Sequence, residues 1–231
     1  AVGDGAARDH VNAGMQSGEV AKVKLEWHGM GDLGKRDAPD DLQGMATAVT
    51  GVLDELATQV VLAGQSMGAQ VAELVALSRP EQVRGLVLIT PIPLAGLPVA
   101  PETADAFRSL GGNESAQRQM RGQFFPGLRP ELMEEMIRVG MRVSPESAGA
   151  LFTAWSKGDP AGNNPGSDRY PVLVIGGEDD AFASPGVLAA SVIPRFPRVT
   201  SLFLKDTNHW PHIEQPVTIA KEIDAFLLSL D

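Results

Sequence analysis

One stretch constrains the fold of this chain more than any other: Gln59-Val60-Val61-Leu62-Ala63-Gly64-Gln65-Ser66-Met67-Gly68-Ala69-Gln70-Val71-Ala72-Glu73. A short β-branched, apolar run is cut by Gly-x-Ser-x-Gly, and an amphipathic helical pattern follows at once. That order predicts strand, sharp turn and helix, with Ser66 at the apex of the turn in a strained backbone conformation. Gly64 and Gly68 lack the side chains that would collide with the neighbouring strand and helix. The helix start aims unpaired N–H groups at the same place, a ready site for a developing oxyanion. The stretch therefore predicts acyl transfer through a covalent serine intermediate as well as a fold. Taken alone, Gly-x-Ser-x-Gly also arises by chance in turns, where the serine only caps a helix.

The rest of the chain is patterned as an α/β domain. Residues 20–27 alternate as a strand, closed by the glycine-rich turn His28-Gly29-Met30-Gly31-Asp32. Leu42, Met45, Val49, Val52, Leu53 and Leu56 recur at three- and four-residue steps, a helix with one buried face. Residues 85–90 and 171–176 are apolar throughout, as parallel strands covered on both faces are, and 200–204 is a shorter version. The last helix carries Val217, Ala220, Ile223, Leu227 and Leu230 on one face. Strands alternating with helices imply right-handed crossovers and a mostly parallel twisted sheet with helices on both faces.

Between residues 90 and 171 the character changes. Pro91-Ile92-Pro93-Leu94-Ala95-Gly96-Leu97-Pro98 is a stiff exit loop, followed by helical patterns near 101–110, 114–122, 130–142 and 145–156. Ser144-Pro145-Glu146 is a helix start: capping hydroxyl, first-turn proline, then an acid at the positive end of the dipole. Phe124, Phe125, Met133, Met136, Met141, Phe152 and Trp155 concentrate here, most of them expected to form the core of the inserted helices. The expected division is an α/β core of residues 1–98 and 171–231 with a small helical cap at 99–170 over a site.

At 231 residues and 43% hydrophobic content, the chain suits one large domain with such an insertion. Lys and Arg number 19 against 29 Asp and Glu, a net charge of −10. That surface argues against nucleic acid and anionic membranes and leaves a small-molecule substrate as the expected partner. The absence of cysteine excludes disulfides and thiolate metal sites. No apolar run approaches the ~18–20 residues of a membrane helix. Ala1-Val2-Gly3-Asp4-Gly5 lacks the basic and apolar regions of a signal peptide, so a cytoplasmic location is expected.

A serine is a weak nucleophile and needs a histidine base oriented by an acid. The histidines are His10, His28, His209 and His212. His209, in Lys205-Asp206-Thr207-Asn208-His209-Trp210-Pro211, follows a strand and leads into the last helix, beyond a strand's carboxyl end where sites on open α/β sheets form. His10, His28 and His212 read as structural. Gly176-Gly177-Glu178-Asp179-Asp180 ends the preceding strand with three carboxylates. Neighbours in a loop point different ways, so one of the three reaches the imidazole and the others are solvated or capping groups.

Together these motifs resemble the α/β-hydrolase fold superfamily, whose chain order of Ser, Asp and His is the order here. Gly64-Gln65-Ser66-Met67-Gly68 matches the nucleophile elbow, and Gly177-Glu178-Asp179-Asp180 matches Gly-x-x-Asp. Asn208-His209-Trp210-Pro211 resembles the histidine loop. The resemblance implies a triad of Ser66, Asp180 and His209, the N–H of Met67 as one oxyanion donor, and neither metal nor organic cofactor. It implies a serine hydrolase acting on a small or medium apolar carboxylic ester, lactone or thioester, or on a carbon–carbon bond. Glu26-Trp27-His28-Gly29-Met30-Gly31 resembles the family's Asp-x-Arg-Gly-x-Gly segment, with His28 in the arginine position. On that alignment Val2-Gly3-Asp4-Gly5-Ala6 is the remnant of the oxyanion loop and Asp4 offers the second N–H, leaving the chain short of the strand that feeds this loop. The alternative makes His28-Gly29-Met30 the oxyanion loop; the helix between Gly29 and Ser66 suits the first alignment better. Two other classes stay open: a ligand sensor that keeps the triad without turnover, and a cofactor-free lyase or oxygenase using His209 and Asp180 as a base.

Overall fold

Four runs rich in Val, Leu and Ile, each only six or seven residues long, pair as one parallel sheet: β1 (Val60–Gln65), β2 (Val83–Ile89), β3 (Val172–Gly177) and β4 (Val199–Leu204). Their spatial order is β1-β2-β3-β4. The computed structural model of the chain describes Val23 and residues 41–56, 58–125 and 128–230. The expected strand at 20–27, the turn after it and the Asp4 segment lie outside the described residues, apart from Val23.

Side chains alternate across the pleat, so each strand feeds two cores. Leu86, Leu88, Val172 and Val174 meet Ala69, Ala72 and Ala76 of α2 (Met67–Ser78), with Leu188 of α7 (Pro185–Ser191), on one face. Val87, Ile89, Leu173 and Ile175 meet Ile219, Ile223 and Phe226 of α9 (Pro216–Leu228) on the other. The first helix, α1 (Leu42–Leu56), lays Leu42, Met45, Val49 and Leu53 against Val71, Leu74 and Val75 of α2. Helices thus cover both faces, as the apolar strands require.

Between β2 and β3 lie α3 (Pro101–Arg108), α4 (Glu114–Phe124), α5 (Pro130–Gly140) and α6 (Pro145–Lys157). The Ser144 hydroxyl accepts from the Ser147 N–H at 3.1 Å, which starts α6 as the sequence predicts. The remaining helix, α8 (Pro211–Glu214), is one turn after the histidine loop. Among the described residues no helix is long and apolar enough to cross a membrane.

Three expectations change. Val217 is 77% exposed, and the buried stripe of α9 is Ile219, Ala220, Ile223 and Phe226. A run of three-residue steps falls behind the 3.6-residue turn and drifts off the buried face. β2 begins at Val83, ahead of residue 85, because Val60 pairs with Val83 across a register irregularity; exposed Arg84 hides this start. Helix α7 is new; its signal is brief, Ser184 capping the Val187 N–H just ahead of Pro185.

Candidate active site

The parallel register brings the carboxyl ends of the strands to one edge: Gln65 stands opposite Ile89, and Gly177 opposite Leu204. The residues that follow these ends make the site. Ser66 has φ 54° and ψ −124°, a positive-φ conformation at the sharp turn between β1 and α2. The turn closes tightly because position 64 is glycine: a Cβ there would lie 2.2 Å from the Gly68 carbonyl oxygen. Gly177 permits a second close approach, since its Cβ would lie 2.2 Å from the Thr207 carbonyl. The acid loop after β3 therefore rests directly against the histidine loop after β4, and the Asp179 N–H donates to that same carbonyl at 3.0 Å.

These two loops meet the serine. His209 Nδ1 is 2.7 Å from Asp180 Oδ2, and Nε2 is 2.8 Å from Ser66 Oγ. Asp180 and His209 are buried. The carboxylate accepts from Nδ1–H, which leaves the Nε2 lone pair to accept from the Ser66 hydroxyl. Asp180 Oδ1 is held separately by the Phe182 and Ala183 N–H groups at 2.8 and 3.0 Å. Glu178 and Asp179 are exposed, so Asp180 is the member of the acidic run that reaches the imidazole. Met67 opens α2, where its N–H is among the helix's unpaired donors, and the residue lines the cavity beside Ser66. Asp4 lies outside the described residues. His212 is buried on α8, away from the cavity lining.

Sequence reasoning missed the groups that fix the histidine. The His209 carbonyl accepts from Thr90 Oγ1 at 2.9 Å and from Gln65 Nε2 at 3.0 Å. Gln65 Nε2 also donates to Thr90 Oγ1, and Thr90 is fully buried at φ 40° just past β2. On either side of His209, Glu214 accepts from the Asn208 and Trp210 N–H groups. A glutamate five residues after a histidine, at the end of a one-turn helix, is a signal the sequence offers only in hindsight.

The site opens into a cavity of about 170 Å³. Its polar lining is Gln65, Ser66, Arg121 and His209; aromatic lining comes from Phe107, Phe124, Phe125, Phe152, Trp155, Phe182 and Trp210. Phe125 stacks on Trp210 at 3.9 Å between centroids, and Phe182 meets the His209 ring edge-on at 5.9 Å. Of the aromatic and Met residues singled out in the insertion, Phe124, Phe125, Phe152 and Trp155 face the cavity, while Met141 is exposed. Burial pushes the Arg121 guanidinium down to about 10. Among the described residues no cluster of three or more metal-ligating side chains is present.

The profile of the alpha/beta hydrolase family matches residues 9–222. A Haemophilus influenzae protein named "Putative esterase/lipase" is 26% identical over 195 residues, covering 80% of this chain and 66% of that protein. The match thus spans just under two thirds of that relative's length. An esterase from Exiguobacterium antarcticum superposes with a TM-score of 0.83 at 16% identity, covering 96% of this chain and 87% of its own. A bromoperoxidase from Bacillus anthracis superposes with a TM-score of 0.79 at 17% identity, covering 98% and 87%. At such identities the likeness carries the fold, and the two names are a reminder that one fold hosts different chemistries. The profile match begins ahead of α1 and ends inside α9, taking in the whole described sheet: the chain belongs to the alpha/beta hydrolase family.

Proposed function

We propose that this chain is a serine hydrolase that cleaves a small or medium apolar carboxylic ester, lactone or thioester through Ser66, His209 and Asp180. The observation that carries the reading is the unbroken hydrogen-bonded line from Ser66 Oγ through His209 to Asp180, opening onto an apolar cavity. The esterase names among its relatives support the same reaction class.

In this mechanism Ser66 Oγ attacks the carbonyl carbon as its proton passes to His209 Nε2. Asp180 balances the resulting imidazolium, and its position is fixed by the two N–H groups on Oδ1. The Met67 N–H binds the developing oxyanion, with Asp4 proposed as the second donor. Nε2 then gives its proton to the departing alkoxide or thiolate, leaving acyl-Ser66. Water next loses a proton to Nε2 and attacks the acyl carbon; Ser66 regains that proton as the carboxylic acid departs. The insertion α3–α6 acts as a cap that keeps this step dry. A cavity of about 170 Å³ is close to the ~150 Å³ that holds a benzene molecule, so the acyl group is short or aromatic.

The test is a panel of p-nitrophenyl esters of increasing chain length on wild type and Ser66→Ala, with a fluorophosphonate probe on both. Turnover of the short esters and labelling are expected in wild type, and Ser66→Ala lowers kcat by at least ~10³-fold. A rate independent of Ser66 overturns the mechanism. Activity that survives Ser66→Ala and is lost in His209→Ala points to base catalysis without an acyl-enzyme, and labelling without turnover points to a sensor.

A further inference from the structure

Among the described residues, Arg121 is the one polar lining group of the cavity that the proposed chemistry leaves without a task. Gln65 is tied to Thr90 and the His209 carbonyl, while Ser66 and His209 react. Arg121 projects from α4, is only 4% exposed, and lines the same cavity as Ser66. Among the described residues its hydrogen-bond partner is a neutral amide oxygen, Gln117 Oε1, and its Nε is buried with none. Other arginines of the chain hold carboxylates: Arg195 pairs with Glu73, Arg79 with Asp54, and Arg118 with Glu114 and Glu134. Burial depresses the Arg121 guanidinium, and among the described residues no neighbouring carboxylate opposes the effect. A buried cation without a counter-charge is costly, and a ligand anion removes that cost.

The guanidinium is also held in place in advance. Its carbon lies 5.5 Å from the Trp210 ring centre, and Trp210 stacks on Phe125. Gln117 donates its Nε2 to the Leu110 carbonyl at 2.8 Å, which turns its Oε1 toward Arg121. A planar fork fixed in this way suits bidentate recognition of a carboxylate.

We propose that Arg121 receives an anionic end of the substrate, so that among the small esters the apolar cavity admits, the preferred one is a monoester of a short dicarboxylic acid, apolar but for its free carboxylate. The free carboxylate pairs with Arg121 while the ester carbonyl sits at Ser66. The inference rests on the hydrolase reading for its ester and on Arg121 alone for its anion.

The experiment compares kcat/KM for monomethyl succinate, glutarate and adipate with neutral methyl esters of matched length. Wild type is expected to favour the hemiester by about tenfold or more at one length, as a charge-assisted hydrogen bond implies. Arg121→Met brings that ratio to near one, and Arg121→Lys retains part of it. A wild type with no preference at any length overturns the proposal, as does a folded Arg121→Met with the preference intact. Calorimetric binding of monomethyl adipate and methyl hexanoate to Ser66→Ala, with and without Arg121→Met, reads the same pairing without turnover. Arg121-dependent hemiester binding in a protein that turns over no ester sinks the hydrolase reading and keeps the anion. Ester turnover with no hemiester preference does the reverse.

Discussion

Ser66 holds a positive φ that an L-residue keeps only when its surroundings impose it, and here the surroundings are a strand end, a helix start and Gly64. Asp180 is equally over-determined: one oxygen takes two backbone N–H groups and the other takes the imidazole. Asp180→Asn keeps the shape but presents an amide where Nδ1–H needs an acceptor, and it favours the wrong tautomer. It is expected to lower kcat by about 10³–10⁴-fold with an unchanged circular dichroism spectrum. Ser66 and His209 were legible because their local order carries the geometry. The choice of Asp180 among three successive acids needed the motif spacing, since local sequence does not say which way a loop residue points. Arg121 was not legible at all. In a helix rich in Glu, Gln and Arg it reads as solvated, whereas in the structure it is buried, with its guanidinium over the Trp210 ring and on Gln117.

At the level of elements, the four described strands and the inserted helices were readable from apolar runs and helical periodicity to within a few residues. The misreadings lie at element edges, where tertiary pairing decides: the early start of β2 and the drift of the α9 stripe. Tethers between elements were invisible, because Thr90 looks in sequence like any strand-ending threonine. In the structure it joins the end of β2 to the histidine loop and to Gln65 at the end of β1. Thr90→Val removes the hydroxyl and leaves the His209 carbonyl with Gln65 as its remaining side-chain donor. A drop in kcat of about tenfold is expected, with KM nearly unchanged, because a small displacement of the base is felt mainly in the chemical step. Thr90→Ser, which keeps the hydroxyl, restores most of the rate; steady-state kinetics on a short ester separates the variants.

For the molecule as a whole, the buried pair of Glu73 on α2 and Arg195 ahead of β4 ties stability to pH. Burial pushes the Glu73 carboxyl up from 4.5 to about 7, outweighing the pull of Arg195. Between those values the native protein keeps a proton that the unfolded chain has released. This contribution is therefore complete below pH 4.5 and is lost as pH rises through about 7. In urea unfolding, wild type is expected to lose ~1–3 kcal/mol more than Glu73→Gln between pH 5 and pH 8. A second property belongs only to the completed chain. Ser66 and His209 stand 143 residues apart and meet only when β4 has joined the far side of β3. A chain in which β1 and β2 have paired and β4 has not carries a well-shaped elbow with no base beside it. On the proposed mechanism such a chain is chemically silent, so the nucleophile is armed only once β4 and its histidine loop have docked, and a half-made molecule cannot form an acyl-enzyme.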